Sequence, residues 1–176
     1  MAEATDGQSL PERFPVAVIL SWRETPASAW QSGEWSVEGI VTGGGIDGEG
    51  AQDGVPRLVH EAPGARTYLS TGFELELHAD DAESYYQNLM AGRPAAFVLC
   101  DHAEDGSLQP RQVTLSYGEA TSYMEMEEAV YTVPLPAELY RWLEHFVIEH
   151  YVPERRRKRR REDWKEAGAG ARPPPG

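Results

Sequence analysis

The sequence predicts an α+β fold: one domain in which a largely antiparallel sheet of about five strands is packed by two or three helices. Three observations predict it. Strand-like stretches come in groups and do not alternate strictly with helices. Stretches after Asp80 and after Pro136 carry apolar residues at helical spacing. The length of 176 residues, 40% of them hydrophobic, suits one ordinary core. The domain is expected over 14–152, between a disordered polar stretch at 1–13 and a basic, flexible tail at 153–176 that ends in proline and glycine.

The organising stretch is Phe14–Thr42, where two apolar runs flank a polar turn region and three of the five tryptophans lie (Trp22, Trp30, Trp35). Phe14–Trp22 is a near-continuous apolar run (Val16, Ala17, Val18, Ile19 and Leu20), the pattern of a strand buried on both faces. Pro26, Ala27, Ser28 and Ala29 read as a connector. Trp35, Val37, Gly39 and Val41 then alternate with mostly polar neighbours, as in a half-buried strand. Residues 43–57 form a glycine-rich acidic loop, and Thr67–His78 a further strand with Phe73, Leu75 and Leu77 on one face. Asp80 and Glu83 resemble a capping box. Ala82, Tyr85, Tyr86, Leu89 and Met90 follow at helical spacing until Gly92 and Pro94 end the helix. Ala95–Cys100 is a short buried strand that can pair with Gln112–Tyr117 across a turn marked by Gly106 and Pro110. Ser116 and Glu119 start a short helix to about Met126, and Tyr131–Val133 is a brief edge strand. Pro136 suits a helix first turn. Leu139, Trp142, Leu143, Phe146, Val147 and His150 mark one face of the helix that follows, through about Tyr151, until Pro153 ends it.

Charge is unevenly distributed. The chain carries 16 Lys and Arg against 29 Asp and Glu, a net −13. Residues 154–176 hold nine of those cations and four of the acids, a net +5, which leaves −18 on residues 1–153. Such a body repels nucleic acid over most of its surface, while the tail can attract an acidic partner or fold back on the body. The run Arg155, Arg156, Arg157, Lys158, Arg159, Arg160 and Arg161 is the candidate partner-binding site. No aromatic residue interleaves it, so bases have no stacking platform there. The polar N-terminus, the absence of any apolar run near the ~20 residues that span a bilayer and the single cysteine, Cys100, lead to the expectation of a soluble cytoplasmic protein.

Several stretches resemble chemistry without assembling it. Gly43, Gly45 and Gly48 match G-x-G-x-x-G, but acidic residues and Pro56 follow where a phosphate-binding turn would open a helix. Asp47, Glu49 and Asp53 miss the spacing of a calcium loop. Among His60, His78, His102, His145 and His150 no two stand at the i, i+4 spacing of a helical zinc pair. Cys100, Asp101 and His102 cluster three ligand types at a strand end, where a buried structural thiol is the commoner outcome. Asp80–Asp81 and Glu127–Glu128 sit at helix ends, as capping residues do, and the tryptophans serve packing better than stacking of a planar ligand. No catalytic residue, metal site or cofactor is expected.

The scattered features PVAVIL (15–20), Trp30-Gln31 with Trp35, FELELH (73–78), Glu83, Tyr85 and Asn88-Leu89 carry a resemblance. Thr114, Glu119-Ala120, Pro134 with Pro136, and FVIEHYVPE (146–154) extend it. Over 14–161 the chain resembles an uncharacterised bacterial family of small proteins, a domain of unknown function, whose genes often lie beside those of formate dehydrogenase and other molybdenum enzymes. The resemblance implies a non-catalytic accessory protein that assists maturation or assembly of such an oxidoreductase. Its partner would be an acidic surface of the enzyme or of an assembly factor. Some relatives carry a label of molybdopterin nucleotide transfer, which makes a nucleotidyltransferase of molybdenum-cofactor synthesis the alternative. The glycine-rich turn leading to an Arg and a Lys that such an enzyme needs is missing, since Gly43–Gly45 leads to acids and residues 1–153 contain no lysine. Nucleic-acid binding by the tail is the third reading.

Overall fold

The computed structural model describes residues 10–28, 31–43 and 53–153. Strands β1 (Arg13–Ser28) and β2 (Gln31–Thr42) form one antiparallel pair, and β3 (Arg57–Ala62) and β4 (Ala65–Glu76) another. A 3-10 turn at Ala79–Asp81 leads into α1 (Ala82–Met90). Then come β5 (Ala95–His102), β6 (Leu108–Thr114), α2 (Tyr117–Glu125), β7 (Ala129–Pro134) and α3 (Ala137–His150). One sheet runs β2-β1-β4-β3 and the other β6-β5-β7, with every neighbouring pair antiparallel. The chain is therefore a single α+β domain, as expected, with seven described strands shared between two sheets instead of about five in one.

The division follows from burial. Residues 95–100 of β5 are buried on both faces, so this strand needs cover on two sides. Ala96, Val98 and Cys100 meet Val16, Val18 and Leu20 of β1 in the main core, while Ala95 and Phe97 face the other way, toward Ala120 of α2. Inward faces from two twisted sheets interdigitate in this way. The sheets also approach each other at both margins, β2 beside β7 and β4 beside β6. Helices α1 and α3 pack on each other and extend the main core through Tyr85, Leu89, Leu139, Trp142, Leu143 and Val147.

Two expectations are corrected and one strand is added. Pro110, expected to mark a turn, lies within β6 opposite Cys100, so that strand runs Leu108–Thr114 where Gln112–Tyr117 was expected. The connector placed at Pro26 is part of β1, which continues to Ser28. Beyond Arg23 this strand pairs with β2 alone, and a register irregularity falls between Glu24 and Ser28, the setting in which a strand tolerates a proline. Arg57–Ala62 is a strand, although its exposed side chains give no periodicity to read. Its pairing comes from the two-residue loop Pro63-Gly64, with Ala62 opposite Ala65 and Gly64 at φ 72°. Gly33 serves close approach instead: a Cβ there would overlap the indole of Trp22.

Helix ends are set by side chains and by backbone geometry. Ser116 Oγ accepts from the Glu119 amide at 3.2 Å, the expected cap of α2. Glu119 does not close the box, because its carboxylate is taken up by Gln112 and Thr114, and the Ser116 amide donates to Thr114 Oγ1 instead. At α1 the chain enters through the 3-10 turn, with no side-chain cap bond from Asp81. At the C-terminus of α2 the Glu128 amide bonds the Tyr123 carbonyl and the Glu127 amide bonds that of Met124, a Schellman arrangement. Glu127 occupies its left-handed position at φ 61°, where glycine is favoured. Asn88, 1% exposed, joins three elements. Its amide donates to the carbonyls of Ala95 and Leu115, both at 2.8 Å, and its Oδ1 accepts from the Ala95 amide at 3.0 Å.

Trp142 is 4% exposed, packs against Phe14 at 5.3 Å between ring centroids, and donates from Nε1 to the Pro11 carbonyl at 2.7 Å. Trp142→Ala is expected to destabilise the fold by about 3–5 kcal/mol, read as a shift in denaturant midpoint. Glu127→Gly is expected to raise stability by about 1 kcal/mol in the same measurement, by removing the left-handed penalty.

Candidate functional site

The basic run Arg155–Arg161, the candidate site of the sequence, lies outside the described residues. What the fold defines is its root. Helix α3 is bound to the core by Leu139, Trp142, Leu143 and Val147, each at most 6% exposed. Phe146 packs edge-on against Tyr85 at 5.8 Å, and His150 stacks on Phe146 at 4.1 Å. Just past the helix, Tyr151 stacks on Tyr86 of α1 at 4.3 Å with 12° between the planes. The chain thus leaves the domain from a position held by two ring contacts.

Beside that root runs a groove of about 510 Å³ between α3, the end of β4 and residues 10–12. Trp142, Phe146 and Leu77 make its apolar floor, and Glu12, Glu76 and Glu149 bring carboxylates to it. His145 lies 3.3 Å from Glu149. An aromatic floor flanked by carboxylates suits a cationic side chain. Nothing in the sequence marks Glu12, Glu76 and Glu149 as neighbours, because chain reversal alone brings them together.

The other described candidates of the sequence are dispersed over the fold. Cys100 and His102 share a parity on β5, but Cys100 is 2% exposed and His102 is exposed. Burial, with the Asp101 charge adding to it, pushes the Cys100 thiol up to about 12, the opposite of what a nucleophile needs. His60, His78, His145 and His150 are exposed, and among the described residues no group of three or more His, Cys, Asp or Glu is placed to hold a metal ion. Gly43 ends β2's hairpin arm at φ 128°, while Gly45, Gly48, Asp47 and Glu49 lie outside the described residues. Asp53 stands against Gly72, where a Cβ would overlap its carboxylate. Asp80 and Asp81 belong to the turn before α1, and Glu128 lies 3.5 Å from Arg111. Trp22 and Trp35 form a cross-strand pair, Trp35 packs on Tyr68 at 4.9 Å, and Arg66 lies 5.1 Å over the Trp22 ring; Trp30 is outside the described residues.

A polar cluster lies between β6 and α2. Glu119 accepts from Gln112 Nε2 at 2.7 Å and from Thr114 Oγ1 at 2.6 Å, and the Tyr123 hydroxyl lies 3.2 Å from Gln112 Oε1. These bonds fasten α2 to the sheet. Nearby, burial pushes the Tyr85 phenol up to about 12, while its oxygen accepts from the His78 amide at 3.2 Å. Both groups are engaged in holding elements together. Among the described residues no helix is long and apolar enough to cross a membrane.

Residues 15–160 match a family model described as "Protein of unknown function (DUF3305)". No curated protein and no solved structure matches the chain.

Native Cys100 is expected to resist a thiol reagent at pH 8 and to react fully once the chain is denatured. The raised thiol also sets a sign: its stabilising contribution is complete below the unfolded value of 9.0 and is lost as pH rises toward about 12. Stability measured between those limits is expected to fall with pH, less steeply in Cys100→Ala.

Proposed function

We propose, since this chain belongs to the DUF3305 family of proteins of unknown function, that it is a non-catalytic accessory protein assisting maturation or assembly of a molybdenum-dependent oxidoreductase such as formate dehydrogenase. The molybdenum context rests on the family resemblance carried by FELELH (73–78) and FVIEHYVPE (146–154). The observation that carries the binding role is the anchoring of α3, whose Tyr151 is stacked on Tyr86 just before the run Arg155–Arg161. The chain is thereby held at Tyr151, four residues before the run, on a body of opposite charge. In this reading the run reaches an acidic surface of the cytoplasmic enzyme or of an assembly factor. A buried, protonated Cys100 and a hydrogen-bonded Glu119 support binding over catalysis.

The acidic groove beside the root favours a second reading, in which the run clamps back onto Glu12, Glu76 and Glu149. One experiment separates the two. Deleting the gene is expected to lower formate dehydrogenase activity without lowering its transcript; unchanged activity removes the accessory role. Complementation with a chain truncated after Glu154 is expected to fail while the melting temperature of the truncated protein stays nearly that of the full chain. A marked loss of melting temperature on truncation assigns the run to the clamp. Full complementation by the truncated chain shows that the run takes no part.

A further inference from the structure

Helix α2 is docked in an unusual way. Of its nine residues only Ala120 is buried. On one side Glu119 and Tyr123 meet Gln112 and Thr114 of β6. The other side presents Tyr117, Ala120, Thr121 and Met124, the i, i+3, i+4, i+7 stripe of a helix face. Ala120 packs with Ala95 and Phe97 of β5, and beside that contact the stripe lines a half-open cavity of about 250 Å³. Phe97 and Tyr117 meet edge to face at 6.3 Å. Protein interiors are normally packed without voids, and a helix on a sheet normally fills its interface with large side chains. Here alanines stand at 91, 95 and 120, and the small cluster around Phe97 is separate from the main core.

Arg93, on the connection from α1 to β5, also lines this cavity. Residues 1–153 contain seven arginines. Arg13, Arg23, Arg66 and Arg111 each stand within salt-bridge distance of a carboxylate, whereas Arg57, Arg93 and Arg141 form no ion pair among the described residues, and of these three Arg93 alone lines this cavity. In so acidic a chain an unneutralised guanidinium beside an apolar hollow is a directional feature. Asn88 lies in the wall, but its amide is already committed to Ala95 and Leu115. Arg93 is therefore the charged group left to recognise a ligand. Ligand sites share this form, an apolar wall with few polar groups placed to orient what enters.

We infer that the cavity under α2 is a binding site for an apolar carboxylate of about the size of one aromatic ring, its ring against Phe97, Ala120 and Met124 and its carboxylate on Arg93. The same chemistry is offered by a free small acid and by the C-terminal residue of a peptide. The inference is independent of the accessory role and of the basic run.

The test is an NMR titration of the full chain with phenylacetate, following the methyl signals of Ala120, Thr121 and Met124. Saturable shifts are expected, with a dissociation constant on the order of 1 mM, as befits a fragment-sized ligand. Arg93→Gln is expected to weaken phenylacetate about tenfold, the loss of one charge-assisted contact, and to leave uncharged phenylacetamide unaffected. Arg141→Gln, which changes net charge equally and lies outside this cavity, is expected to change neither. Ala120→Leu fills the cavity and is expected to abolish binding of both probes. Thr121→Leu narrows it from the mouth and serves where the first variant does not fold. A peptide ending in a free phenylalanine carboxylate that binds more tightly than phenylacetate supports the site and assigns it to a protein C-terminus; the reverse order supports it and assigns it to a small acid. Unsaturable shifts, equal losses in the two arginine variants, or binding that survives filling overturn the inference.

Discussion

One buried asparagine holds the arrangement together. The side chain of Asn88 satisfies both backbone groups of Ala95 and the carbonyl of Leu115, and so ties α1 to the start of β5 and to the junction of β6 with α2. Those three backbone groups lie at the ends of strands, at the start of β5 and just past β6. Left without a partner in a buried site, each would cost about 1–3 kcal/mol. The asparagine also fixes distance: α1 cannot slide along the core without breaking all three bonds. Because α1 packs on α3, the position of the last helix depends on the same residue.

From that tie the domain divides its labour between two kinds of cohesion. The face between the sheets is apolar and densely filled, with Val16, Val18, Leu20, Val98, Leu139 and Leu143 at most 1% exposed. The outer face of the smaller sheet is held by polar bonds around Glu119 and is thinly filled. A helix kept in place by hydrogen bonds at one side need not fill the space at the other. The cavity under α2 is the consequence. Helix α3, on the other side of α1, is held by aromatic contacts, the last of them at Tyr151, four residues before the basic run in sequence.

Much of this was legible from local pattern. The β1–β2 pair, β4, β5 with β6, the cap of α2 by Ser116, and α3 with its buried face at Leu139, Trp142 and Leu143 all follow from periodicity and turn residues. The extension of β1 through Pro26 was not legible, because the tolerance of a proline depends on whether a second strand lies alongside. Strand β3 was hidden for a related reason: nearly all its side chains face solvent, and its identity rests on backbone bonds to β4.

What the sequence determined by itself was the α+β class, the buried character of β1 and β5, and the charge contrast between residues 1–153 and 154–176. Each of these depends on residues near one another in the chain, where spacing and composition carry the physics. Only the tertiary structure decided that the strands form two sheets, that Glu12, Glu76 and Glu149 share a groove, and that Arg93 lines an apolar hollow under α2. Those are relations between segments far apart in sequence, and they exist only once the chain has folded so that the first sheet covers one face of β5 and α2 the other.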